Sequence, residues 1–220
     1  MRVVIAGGHG QIALRLERLL TIRGDDAVGL IRNPDHAPDL ADAGASAVVI
    51  DLERAGADEV AAELDGADAV VFAAGAGPGS GVARKDTVDR AAAALVADAA
   101  EQAGVRRYLL VSSMGAGAEP RPGTDEVFAA YLRAKTASED DLRGRDLDWT
   151  ILRPGSLTND SGTGRVRLAP STGRGRIPRD DVAAVLVGLL DEPHTARQVL
   201  ELVGGDVPIP QAIAALTDAR

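Results

Sequence analysis

The chain has no cysteine, only two lysines among its 24 basic residues, and aromatic side chains at 2% of its 220 positions. Without cysteine there can be no disulfide framework, thiolate nucleophile or thiolate metal site. The three histidines, His9, His36 and His194, are scattered, so no metal site is predicted. Scarce aromatics leave little material for base-stacking platforms. A formal net charge of −9 argues against a nucleic-acid surface. No apolar run approaches the roughly 20 residues that span a bilayer, and the first residues enter a core strand at once, with no signal peptide. These absences predict a cytoplasmic protein that meets a small molecule, not nucleic acid or membrane, as a monomer or homodimer.

What is present is ordinary in amount and informative in order. Hydrophobic residues at 45% and charged residues at 26% are globular values, and the length fits one domain over 1–220. Apolar runs at 2–6, 27–31, 47–50, 69–73, 107–111, 149–152 and 199–203 alternate with helical patterns, including 87–102, stopped by Gly104, and 181–190. Nearly continuous apolar strands separated by helices predict a doubly wound α/β domain: a parallel Rossmann-type sheet with helices on both faces. The polar stretch around 156–180 reads as a small substrate-side segment.

Gly7-x-x-Gly10-x-x-Ala13 follows the first strand and opens the first helix, the context in which a glycine motif binds a dinucleotide. Glycines permit the tight turn and the close approach of backbone to pyrophosphate, and the helix N-terminus offers free N–H groups. Gly7, Gly8, His9, Gly10, Gln11 and Ile12 are the candidate phosphate-side residues. At the end of the second strand, NAD-binding domains carry an acid for the ribose 2′-hydroxyl. Arg32 stands there instead, with no carboxylate beside it until Asp35. A guanidinium can clamp a 2′-phosphate, so the cofactor reads as NADP, with NAD as the alternative.

Tyr131 and Lys135, one of two tyrosines and one of two lysines, lie four residues apart, an arrangement expected in only about 0.02 of shuffled sequences. On a helix this spacing puts both on one face, and an ammonium near a phenol favours the phenolate that a general acid/base needs.

In this order the motifs resemble the short-chain dehydrogenase/reductase superfamily, in its compact atypical NAD(P)-binding branch. The resemblance covers essentially the whole chain: the glycine motif, Arg32, Asp51-Leu52, Ala73-Ala74-Gly75, Ser112-Ser113, Tyr131-x-x-x-Lys135, and Pro154-Gly155-Ser156-Leu157. It implies that Asp51 and Leu52 flank the adenine and that Ala73, Ala74 and Gly75 line its ribose. It implies that Ser112 and Lys135 contact the cofactor, while Pro154, Gly155, Ser156 and Leu157 hold the carboxamide edge of the nicotinamide. Tyr131 would exchange a proton with the substrate oxygen, Lys135 would tune it, and Ser113 would orient the carbonyl. The implied activity is an NADP-dependent oxidoreductase acting on a small carbonyl or alcohol, with pocket residues expected between Met114 and Tyr131 and between Thr158 and Pro178. Two other functions fit the same residues. One is a nucleotide-sugar epimerase or dehydratase, against which the short C-terminal region counts. The other is a non-catalytic dinucleotide sensor of the nitrogen-metabolite-repression regulator type, whose members typically lack the Tyr or Lys kept here.

Overall fold

Along β1 (Arg2–Ala6), Val3 and Ile5 enter one buried cluster and Val4 and Ala6 another. Side chains of a strand alternate between faces, so a strand apolar at every position must be covered on both. The structure, a computed structural model, describes residues 1–77 and 79–218. The chain continues through α1 (Gln11–Arg23), β2 (Asp26–Ile31), α2 (Ala37–Asp42), β3 (Ser46–Val49), α3 (Ala57–Glu63) and β4 (Ala69–Phe72). Next, α4 (Val82–Arg84) passes through a π-helical segment, Lys85–Ala91, into α5 (Ala92–Ala103), followed by β5 (Arg107–Val111), α6 (Glu126–Arg143) and β6 (Asp148–Pro154). The remainder holds β7 (Ser156–Thr158), β8 (Arg165–Ala169), β9 (Arg176–Pro178), α7 (Arg179–Leu190), β10 (Gln198–Gly204), β11 (Val207–Pro208) and α8 (Ile209–Ala214).

Among the described residues, one sheet has the order β11-β8-β10-β6-β5-β4-β1-β2-β3. From β3 to β10 every pairing is parallel. The predicted doubly wound sheet is present, with helices on both faces. Leu16 and Leu20 of α1 join Val182, Val185, Leu186 and Leu189 of α7 over one face. Val60 of α3 and Val96 and Ala100 of α5 cover the other, with Leu142 of α6. Because β1 and β4 are neighbours while the chain winds outward in both directions, a crevice opens between their carboxyl ends.

Two regions depart from the sequence reading. The helix expected from Thr87 begins at Val82 and includes the π-helical turns, in which Lys85 and Asp89 are buried. Hydrophobic periodicity cannot announce turns whose inward positions are charged. The segment around 156–180 is not a plain polar stretch: β7 and β9 pair with each other, and β8 adds antiparallel to β10. In β8 only Val166 and Leu168 face the core, a period-two signal confined to five residues. No helix among the described residues is long and apolar enough to cross a membrane.

Candidate active site

A cavity of about 750 Å³ opens at the carboxyl ends of β1, β4, β5 and β6. The glycine loop forms its floor. Gly7 adopts φ +83°, and a Cβ there would lie 2.6 Å from the Ala74 Cα, so β1 and β4 can meet at this point only through glycine. The Gly10 N–H donates to the Gly7 carbonyl at 2.8 Å, closing the turn. Gly10 then N-caps α1 with no side-chain cap and no acid in the first turn. The open amide end of α1, lined by Gln11 and Ile12, is therefore available to an anion. A dinucleotide fits this cradle: the glycine turn leaves room for its backbone and the uncapped amide end could take its phosphates.

Near the ends of β2 and β3 the cavity is walled by Asp51, Leu52, Ala73 and Ala74. Here the structure corrects one expectation. Arg32 does have a carboxylate beside it: Glu53, 21 residues on, accepts from Arg32 Nη1 at 2.8 Å and from Arg84 Nη2 at 2.7 Å. Thr87 Oγ1 also donates to Glu53 at 2.6 Å. The Thr87 hydroxyl first, then Arg84 and Arg32, hold the Glu53 carboxyl below its usual range. Glu53 thus holds two arginines, Arg32 and Arg84, at this end of the cavity. His9 faces the cavity, stacks on His36 with ring centres 3.6 Å apart, and places Nε2 2.6 Å from Asp39.

At the other end α6 presents Tyr131 and Lys135. Asp125 starts this helix by accepting from the Phe128 N–H at 3.0 Å. Tyr131 is half-buried and Lys135 is almost fully buried, with its Nζ 5.9 Å from the phenol ring centre. The same Nζ donates to the Val111 carbonyl at 3.1 Å and lies 3.3 Å from Asp89 on the π-helical segment. Asp89 in turn accepts from the Ala76 N–H, so β4's loop, α6 and the π turns are tied at one point.

The two serines after β5 differ. Ser112 is buried and donates to Glu139 at 2.6 Å, a carboxylate that also binds Arg153 and Arg143. Arg153 sits beneath Gly117 with its guanidinium on Glu139, whose hydrogen bond raises the arginine's pKa above its ordinary value. Ser113 lines the cavity, and its hydroxyl makes only a long 3.4 Å contact with the Met114 carbonyl. Its proton is therefore free to face a ligand oxygen.

Of the residues singled out in the sequence, Gly8 and Ser156 do not line the cavity. A Cβ on Gly8 would meet the Gly29 Cα at 2.7 Å, so Gly8 serves the packing of β1's end on β2. Ser156 pairs with Arg176 in the β7–β9 ribbon. Pro154, Gly155 and Leu157 remain on the wall. The stretch 158–178 contributes no wall residue; Asp125, Val127 and Phe128 do. Sequence reasoning missed Glu53, Arg84, Lys85, Asp89 and Glu139. Only Lys85 carried a signal, as the second of two lysines in the chain.

The chain matches the family described as NAD(P)H-binding over residues 7–193. It is 37% identical to YhfK of Bacillus subtilis, named a sugar epimerase and itself uncharacterized, over 98% of this chain and 100% of that one. Among solved structures it is similar to a Bacillus halodurans protein assigned as an NAD-dependent epimerase/dehydratase, with TM-score 0.90 and 35% identity over 98% and 99% of the two chains. The oxidoreductase ylbE from Lactococcus lactis gives TM-score 0.87 and 26% identity over 99% and 97%. Motifs, sheet order and relatives agree, and the chain belongs to the NAD(P)H-binding family.

Proposed function

We propose that this protein is an NADP-dependent oxidoreductase that moves hydride between the nicotinamide and a small carbonyl or alcohol, with Tyr131 as general acid/base. One observation carries the reading: Tyr131, Lys135 and Ser113 border the same cavity as the uncapped glycine loop. The relatives support it at the level of class, since ylbE is described as an oxidoreductase.

The dinucleotide supplies or accepts the hydride. In the reducing direction the substrate C=O π bond opens, a C–H bond forms from that hydride, and the Tyr131 phenol gives its proton to the oxygen. The phenolate left behind would lie beside the Lys135 ammonium, whose Nζ is 5.9 Å from the ring centre. The Ser113 hydroxyl donates to the substrate oxygen and fixes which face meets the nicotinamide. Asp89 and the Val111 carbonyl hold the Lys135 Nζ, fixing the ammonium near the phenol.

Arg32 and Arg84 are assigned to the 2′-phosphate. NADPH should bind more tightly than NADH, and Arg32→Ala should weaken NADPH by about 1.5–3 kcal/mol, the worth of one charge-assisted contact. Titration of both cofactors against both proteins checks this; equal affinities in the native protein would remove the NADP assignment. Turnover is tested with aldehydes, ketones and quinones by following NADPH absorbance. The names of YhfK and the Bacillus halodurans protein favour a second reading, nucleotide-sugar epimerisation. It predicts conversion of a nucleotide sugar with no net consumption of dinucleotide.

A further inference from the structure

Both lysines of this arginine-rich chain border one phenol. Lys135 Nζ and Lys85 Nζ lie 5.9 and 5.4 Å from the Tyr131 ring centre. Their surroundings differ. Lys135 is matched by the fully buried Asp89. Lys85 is only 7% exposed, yet it donates one hydrogen bond, to the Gly77 carbonyl at 2.8 Å. Among the described residues no carboxylate pairs with it, while its neighbour Arg84 is already engaged by Glu53. Two of its three N–H donors are left for a ligand.

Burying an ammonium without a counter-charge is costly. In a chain that fills 22 of 24 basic positions with arginine, the residue here is a lysine, whose ammonium is a compact point charge instead of a planar fork. The wall beside it is apolar and open. Phe128 stacks on Tyr131 with ring centres 5.9 Å apart, and Val127, Phe128 and Leu157 are exposed large apolar residues on the same cavity.

We propose that Lys85 is the substrate-binding cation, and that the substrate is an anionic carbonyl compound with an apolar body. Its carboxylate sits on Lys85, its reacting oxygen meets Tyr131, and its apolar part lies on Phe128. This rests on the oxidoreductase reading, so the test separates the two. Matched pairs of acid and methyl ester, phenylpyruvate and para-formylbenzoate each with its ester, are compared as substrates. Their binding to the protein–NADP⁺ complex is measured separately by calorimetry.

In the native protein the acid should be preferred over its ester by roughly tenfold or more in kcat/KM, the range of one hydrogen bond to a charged group. Lys85→Met should bring that ratio close to one, with NADPH affinity kept. Lys85→Arg, which retains the charge, should keep part of the preference. If Lys85→Met proves unfolded by circular dichroism, Lys85→Gln is read in its place. No preference for acid over ester in either pair overturns the proposal. So does a preference that survives loss of the charge. Equal losses for acid and ester would make Lys85 a tuner of Tyr131, and a fall in NADPH affinity would make it a cofactor phosphate ligand; either overturns it too. If nothing is turned over but the acids bind and lose binding in Lys85→Met, the anion site stands and the oxidoreductase reading falls.

Discussion

Tyr131 is half-buried, ring-stacked on Phe128, and closed from below by Lys135, so removing its oxygen should leave packing intact. Tyr131→Phe should lower kcat by roughly 10²–10⁴-fold, the usual contribution of a positioned acid/base, with NADPH affinity nearly unchanged. Steady-state kinetics beside a cofactor titration check this; full activity in the variant would move the chemistry to other residues and leave a dinucleotide sensor in contention. Lys135 behaves differently because its partner is buried. Lys135→Ala strands the Asp89 carboxylate, which is fully buried. Breaking such a pair from one side costs about 3–5 kcal/mol, so denaturant unfolding should shift strongly as well as turnover. The double variant Lys135→Met with Asp89→Asn removes both charges while keeping an oxygen for the Ala76 N–H. It should recover most of the stability and none of the activity, which separates the structural role of the pair from the chemical one.

At the scale of elements, the turn between β1 and α1 is the most sharply specified piece. Gly7 lies at φ +83° with no room for a Cβ against Ala74, whereas a Cβ on Gly10 would have the Gly7 carbonyl oxygen at 3.0 Å as its one tight neighbour, with the Ala73 carbonyl oxygen and the Ala13 Cβ at ordinary contact distances of 3.7 and 3.8 Å. Gly7→Ala should therefore destabilise the fold itself. Gly10→Val should leave the circular dichroism spectrum native yet abolish dinucleotide binding, because its branches enter the space at the open end of α1. Native NADPH affinity in Gly10→Val would mean that the loop is only a turn. This element was legible in the sequence because all its requirements are local: an apolar run, glycines, then a helical period. Tyr131 and Lys135 were legible for the same reason, four residues apart on one helix. The π-helical segment was not, since its inward residues Lys85 and Asp89 are polar and find their meaning in α6, more than 40 residues away. Glu53 was missed similarly: its partners Arg32 and Arg84 come from the ends of other elements, and the single-sequence pattern holds no trace of that meeting.

The whole molecule gathers every loop that follows β1, β4, β5 and β6 at one edge of the sheet, and beneath that edge it buries an acid with no partner. Glu17 of α1 is fully buried, and neither carboxylate oxygen has a hydrogen-bond partner among the described residues. Its Oε1 lies where a Cβ on Gly8 or Gly29 would come within 3.0 or 2.6 Å, directly under the glycine loop. Burial pushes its carboxyl from an ordinary 4.5 up to about 8. In the unfolded chain it titrates at the ordinary value. Between 4.5 and about 8 the native state therefore holds a proton that the unfolded state has lost, and stability falls as pH rises through that window. The full effect is present below the unfolded value as undiminished stability and is lost by the upper end, for a total on the order of 5 kcal/mol. Glu17→Gln keeps shape and hydrogen-bonding capacity without a titration, so its stability should be flat where that of the native protein declines. Denaturant midpoints measured at several pH values across the window decide it. Parallel curves for the two proteins would show that Glu17 ionises near its ordinary value in the native state, with its carboxylate stabilised by a partner. Because the carboxylate, once formed, would sit beneath the glycine loop, NADPH affinity should also decline as pH rises through about 8 in the native protein and hold steady in Glu17→Gln.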